Sequence, residues 1–251
     1  RVRSSAASDV YKRQIKIRYK RNLGLRPYQK IILQLSIALI VAFVVYKNEL
    51  IRGDVYIPFT KNTVSLGWGV IPLVVFIFIA TTNSVNLTDG LDGLAASTTL
   101  VYMAGIAAII AIVSADADKN GLSLYVKEYQ GLLTVCFATV GSLAGFLLFN
   151  CFPAKIFMGD VGSLALGGVV ACVSILGRLS LYIPILGVMF ATSAVSDIIQ
   201  VVHYKRTKRR VFLMAPFHHH LQKKGLSETR IGFLYSTITG IVALICVLTL
   251  I

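Results

Sequence analysis

Seven apolar runs set the rhythm of the chain, each close to 20 residues and each closed by a polar stretch. They lie near residues 29–46, 67–83, 94–115, 130–150, 163–178, 181–203 and 231–251. An α-helix rises about 1.5 Å per residue, so about 20 apolar residues cross a hydrocarbon core about 30 Å thick. Inside lipid the backbone must satisfy its own hydrogen bonds, which makes helices the spanning element. The pattern therefore predicts an all-α fold, a polytopic transmembrane helical bundle. No period suggests soluble repeats. One short stretch departs from the helical rhythm: "VYIPFT" (Val55 to Thr60), in the first long loop, reads as β-like.

Composition agrees with the pattern. The 251 residues are 56% hydrophobic and 14% charged, against about 25% charged in soluble domains. The opening "RVRSSAASDVYKRQ" carries no apolar period and no initiator Met. Residues 1–14 are expected to be disordered or artefactual, with upstream helices missing, and residues 15–251 to form a single transmembrane domain. Cys136, Cys151, Cys172 and Cys246 lie in or beside apolar runs without paired spacing. They read as small packing residues.

Charge gives the bundle a direction. Of the 25 Lys and Arg residues, 19 fall on the side that holds residues 1–30 and the loops near 151–161 and 203–230. The positive-inside rule places that side in the cytoplasm. The basic runs "YKRQIKIRYKRN" and "HYKRTKRR" are juxtamembrane, which suits anchoring and anionic lipid and argues against nucleic acid as a partner. Three polar loops share this face: "NSVNLTDGLDG" (Asn83 to Gly93), "FPAKIFMGDVGS" (Phe152 to Ser163) and "MAPFHHHLQKKG" (Met214 to Gly225).

The residue types in these loops suit phosphate chemistry. Asp89 and Asp92 are three apart; if a helix starts near Asp89, both carboxylates share one face. A helix cap is the plainer role for one of them, and Asn83 and Asn86 beside the pair weigh against it. Asp160 lies between two glycines at a span boundary, where an ionisable side chain is costly. It is a candidate for Mg²⁺, which takes oxygen ligands and keeps substrate phosphates as partners; capping is the alternative there too. Phe157 offers a ring for stacking or for interfacial anchoring. His218, His219 and His220 cannot all face one centre, so a metal triad is poor chemistry. Acid–base work or a hydrogen bond to phosphate fits one or two of them better. Asp197, Gln200 and His203 follow three-residue steps on one face of the sixth run, where helix–helix hydrogen bonding is an equal alternative. Together these groups suggest phosphoryl transfer, in which the protein positions groups and neutralises charge. A proton-coupled transporter would need ionisable residues near mid-bilayer and inverted repeats, and the sequence shows neither.

"NSVNLTDGLDGLA", "FNCFPAKIFMGDVGSLALGG" and "MAPFHHHLQKKGLSETRI" resemble the signature loops of the bacterial polyprenyl-phosphate N-acetylhexosamine-1-phosphate transferases. The resemblance runs from about Ile15 to the C-terminus. The Ala-Pro-x-His-His-His form favours the branch whose donor is UDP-MurNAc-pentapeptide over the one using UDP-N-acetylglucosamine, and donor competition separates the two. It implies transfer of phospho-MurNAc-pentapeptide to undecaprenyl phosphate, with Mg²⁺ as cofactor, giving lipid I and UMP at the bacterial plasma membrane. It matches Asp160 to the magnesium-binding Asp. Asn86 and Asp89 match positions near ribose and phosphate, and Asp92, Asn150 and Phe157 match uracil recognition. Gln200 and Ala215 match the nucleoside pocket, and His218 and His219 the histidines nearest the phosphates, with His220 beside them in the substrate group. Lys16 matches a lysine of the cytoplasmic cleft. A homodimer is compatible with this reading.

Two departures stand out. The family has ten spans, and this chain offers the last seven. The family also carries an adjacent Asp-Asp pair that by register falls near Lys12 and Arg13, where it is absent; Asp9 does not match it. The 251-residue chain by itself is therefore expected to be inactive or nearly so.

Overall fold

The computed structural model describes residues 27–51 and 53–251. The stretch holding residues 1–14, Lys16 and the register of the Asp-Asp pair lies outside them. Among the described residues the long helices are α1 (Pro27–Lys47), α2 (Val70–Thr88), α3 (Leu94–Lys119), α4 (Ser123–Asn150) and α5 (Gly159–Leu176). A short α6 (Ile183–Leu186), then α7 (Val188–Thr207), a seven-residue α8 (Phe217–Lys223) and α9 (Glu228–Leu248) follow. Among the described residues six helices are long and apolar enough to cross a membrane, and a seventh span results if the bent α6–α7 pair counts as one. The bend is 77°. It falls at Gly187, where an added Cβ would sit 2.7 Å from the Ile183 carbonyl oxygen. The tight turn excludes a side chain, and such breaks have identifiable causes of this kind.

Small residues decide how closely the helices approach. α2 packs on α1, α5 and α7, and α3 packs on α4 and α9. At Gly167 of α5, a Cβ would lie 2.7 Å from the Thr82 Cα of α2. At Gly105 of α3, a Cβ would lie 2.6 Å from the Ala243 Cβ of α9. Close backbone approach of this sort is how helices associate where lipid supplies no hydrophobic drive between them. The main core gathers around Tyr102, Met103, Ile106 and Ile110. The Tyr102 hydroxyl reaches the Ser174 hydroxyl at 2.9 Å, so this buried polar pair satisfies itself.

The β-like stretch forms a small hairpin at the end opposite the three polar loops. Strand β1 (Asp54–Tyr56) pairs antiparallel with β2 (Thr63–Ser65). Arg178 holds it to the bundle. Its carbonyl accepts the Tyr56 N–H at 2.8 Å, its guanidinium lies 3.6 Å from the Asp54 carboxylate, and it stands over the Tyr56 and Tyr125 rings at 5.1 and 4.9 Å.

Candidate active site

The three polar loops meet at one end of the bundle. Asp89 is the residue after α2, and the chain needs Gly90 to Gly93 to turn into α3. Asp89 and Asp92 therefore do not share a helix face; the helix expected to begin near Asp89 begins at Leu94. Asp89 faces the neighbourhood of Asp160 instead. Burial first, and the Asp160 carboxylate second, push the Asp89 carboxyl up to about 6. Asp160 sits in the first turn of α5, and the N-cap position is taken by Met158 without a side-chain bond. Capping thus explains neither Asp160 nor Ser163. The Lys30 ammonium of α1 donates to Asp160 Oδ2 at 2.7 Å. Next to this pair, Asn86 Nδ2 donates to Ser163 Oγ at 2.8 Å, and Asn83 Nδ2 donates to Gln34 Oε1 at 2.9 Å. Polar residues of α1, α2 and α5 thus line one patch.

Asp92 turns away to the second loop. Its Oδ2 accepts the Ala154 N–H at 2.9 Å, and Asn150 Nδ2 donates to the Ile156 carbonyl at 2.8 Å. These two side chains shape the loop that carries Phe157, which stands 68% exposed. An exposed ring on a pinned loop is available to a flat partner.

The histidines separate as their adjacency requires. His218 is fully buried. Its Nε2 would be 2.3 Å from a Cβ at Gly90, and His219 Nε2 3.2 Å from it. Only glycine lets the Asp loop lie against both rings. Burial, and then His219 beside it, bring the His218 imidazole down to about 3, so it is neutral at ordinary pH. His219 Nδ1 faces Gln222 Oε1 at 3.2 Å. His220 is turned into its own loop: its Nδ1 accepts the Leu213 N–H at 3.1 Å, and its ring packs on Phe212 and Phe217. Gln200 is also occupied by that loop. Its Oε1 accepts the Val211 and Phe212 N–H groups, both at 3.0 Å, and its Nε2 donates to the Phe212 carbonyl at 3.1 Å. Ala215 precedes Pro216 in a cis peptide and opens onto α8.

Asp89, Asp160, Asn86, His218 and His219 are thus brought together through α2, α5 and the 89–93 loop. Asp92, Asn150 and Phe157 form an adjoining group, while Gln200 and His220 support the loop behind. Four residues that the motifs left unassigned belong here: Lys30, Ser196, Gln222 and Glu228. Ser196 accepts the Phe217 N–H at 2.9 Å and fixes the start of α8. Lys30 had only the signal of a cation at a span end. Among the described residues no three His, Cys, Asp or Glu side chains cluster at metal-binding distance. The site instead fits a Mg²⁺ ion in kind: two mutually repelling carboxylates, with the remaining positions left to a ligand's phosphates.

Comparison with known proteins extends the motif resemblance to most of the chain. Residues 14–178 match the model of glycosyl transferase family 4. The chain is 44% identical, over 94% of its length, to the phospho-N-acetylmuramoyl-pentapeptide-transferase of Clostridium novyi, of which it covers 69%. It is 42% identical over 93% of its length to the protein of that name from Clostridioides difficile, again covering 69%. For Clostridium kluyveri the identity is 43% over 94% of the chain, covering 70% of the relative. By motif, by span and by identity over most of its length, the chain belongs to glycosyl transferase family 4.

Proposed function

We propose that this site serves the transfer of phospho-MurNAc-pentapeptide from UDP-MurNAc-pentapeptide to undecaprenyl phosphate, releasing UMP and forming lipid I, and that turnover needs the Asp-Asp pair that residues 1–251 do not carry. The observation that carries this reading is the convergence of Asp89, Asp160 and the His218–His219 pair at one end of a membrane bundle. The names of relatives at 42–44% identity supply the transferred group, phospho-N-acetylmuramoyl-pentapeptide. A diphosphate donor arrives from water and a lipid phosphate from the bilayer, so an interfacial site serves both.

In the proposed reaction an oxygen of the lipid phosphate attacks the sugar-linked phosphorus. The bond from that phosphorus to the bridging oxygen breaks, and its electron pair leaves with UMP. A phosphate monoester has a second pKa of about 6, so the attacking oxygen is largely ionised near neutral pH and a strong base is unnecessary. Asp160, with Asp89 beside it, would hold Mg²⁺, whose chemistry is to offset the charge of the pyrophosphate. Phe157 stacks on the uracil, on a loop that Asp92 and Asn150 keep in shape. His218 Nε2 lies nearest the Asp loop at Gly90 and His219 Nε2 stands beside it, with His218 an uncharged ring. The carboxylate end faces the cytoplasm.

The test is lipid I formation from radiolabelled UDP-MurNAc-pentapeptide. Residues 1–251 alone are expected to show little turnover, and a version extended upstream with the Asp-Asp-bearing segment of a relative is expected to turn over. In that version Asp160→Asn should lower the rate by about 10²–10³-fold or more, the scale of losing a preorganised charge at the reacting centre. Unchanged turnover by Asp160→Asn would remove the metal role.

A further inference from the structure

Glu228 opens α9 with a carboxylate that accepts two hydrogen bonds from two different loops. Its Oε2 accepts the Asp92 N–H at 3.2 Å, and its Oε1 accepts from Gln222 Nε2 at 3.1 Å. On the other side of that amide, Gln222 Oε1 faces His219 Nδ1 at 3.2 Å. The direction of every bond in this chain follows from its first member. An ionised carboxylate has no proton to give. Gln222 must therefore turn its NH₂ towards Glu228, which leaves its carbonyl oxygen towards His219. A carbonyl oxygen only accepts, so His219 Nδ1 must carry the hydrogen. In the neutral ring the other nitrogen, Nε2, is then bare. That nitrogen is the one against Gly90.

We propose that Glu228, acting through Gln222, holds His219 in the Nδ1–H form, so that Nε2 over the Asp loop is the bare, accepting nitrogen. The bare Nε2 then accepts a hydrogen bond from a substrate hydroxyl. Glu228 and Gln222 are positioning residues: they act on the site through His219. The role of His219 at the phosphates rests on the proposed transferase function, whereas its tautomer does not.

In Glu228→Gln the new amide must keep its oxygen on the Asp92 N–H, so its NH₂ faces Gln222. Gln222 then flips, its own NH₂ meets His219 Nδ1, and the ring changes to the Nε2–H form. In the exchange Glu228→Gln with Gln222→Glu, residue 222 is a carboxylate that accepts from both sides, and the Nδ1–H form returns. The experiment is ¹⁵N spectroscopy of the detergent-solubilised chain labelled in its histidine rings, above the ordinary imidazole range of about 6.5. The His219 signals are identified by their loss in His219→Gln. The expected result is an Nδ1–H pattern in the unsubstituted chain, an Nε2–H pattern in Glu228→Gln and an Nδ1–H pattern in the exchange. An Nε2–H pattern in the unsubstituted chain overturns the proposal, as does an Nδ1–H pattern in Glu228→Gln. Should Glu228→Gln unfold, the exchange variant decides: Nδ1–H supports the relay and Nε2–H overturns it. No substrate is present, so these spectra stand apart from success or failure in the lipid I assay.

Discussion

His218 is 0% exposed, and neither ring nitrogen has a hydrogen-bond partner among the described residues. Leaving a buried polar atom unpaired costs about 1–3 kcal/mol, and charging it there costs more. The folded protein therefore keeps the ring neutral down to about pH 3, while an unfolded chain protonates it near 6.5. Between these values the unfolded state binds more protons, so acidification below about 6.5 removes stability. Asp89 works the other way. Its folded carboxyl holds a proton up to about 6, against about 3.9 unfolded, so its contribution grows as pH falls through that window and is lost as pH rises through 6. Unfolding measured in detergent from pH 7 to 5 should show the two apart: His218→Leu flattens the acid loss and Asp89→Asn steepens it. Equal slopes in both variants and the parent would rule this out. The sequence made both residues conspicuous by type and place. It did not show that one histidine is sealed against Gly90, because burial depends on the docking of a distant loop. Glu228 was invisible for a similar reason: its two partners, Asp92 and Gln222, come from separate loops.

The helices were legible at the level of elements because apolar length is a local property, and six of the expected runs reappear as unbroken helices. What escaped the pattern depended on tertiary context. The run near 181–203 is broken at Gly187, and the histidine loop contains α8, too short to show a period. The expected common face for Asp89 and Asp92 failed because α3 begins beyond both. The contact between α3 and α9 also rests on a detail that hydropathy cannot carry, the missing side chain of Gly105. Gly105→Ala would place two methyl carbons 2.6 Å apart, and overpacking of this kind costs about 1–3 kcal/mol. Moving the methyl instead of adding one, with Gly105→Ala and Ala243→Gly together, should recover most of that loss. Thermal unfolding of the two single variants and the pair gives the coupling directly, and additive effects would show that the helices do not meet there.

For the whole molecule, the charge asymmetry and the site make one joint claim about direction. Among the described residues, ten of 15 Lys and Arg fall at the end that also holds Asp89, Asp160 and the histidines, and the positive-inside rule assigns such a side to the cytoplasm. A soluble nucleotide-linked donor would be met on that same side, so the lipid-facing bundle and the proposed chemistry require one orientation. Two surface positions can report it. Cys151 is exposed on the loop after α4, Cys136 and Cys246 are buried, and Cys172 is half-buried. Lys61 is exposed at the turn of the opposite hairpin. In intact spheroplasts, a membrane-impermeant maleimide should label Lys61→Cys in an otherwise cysteine-free chain. A chain keeping Cys151 alone should be labelled only after lysis. The reverse result would place the carboxylates outside the cell, away from any cytoplasmic donor, and would defeat the orientation and the transferase proposal together.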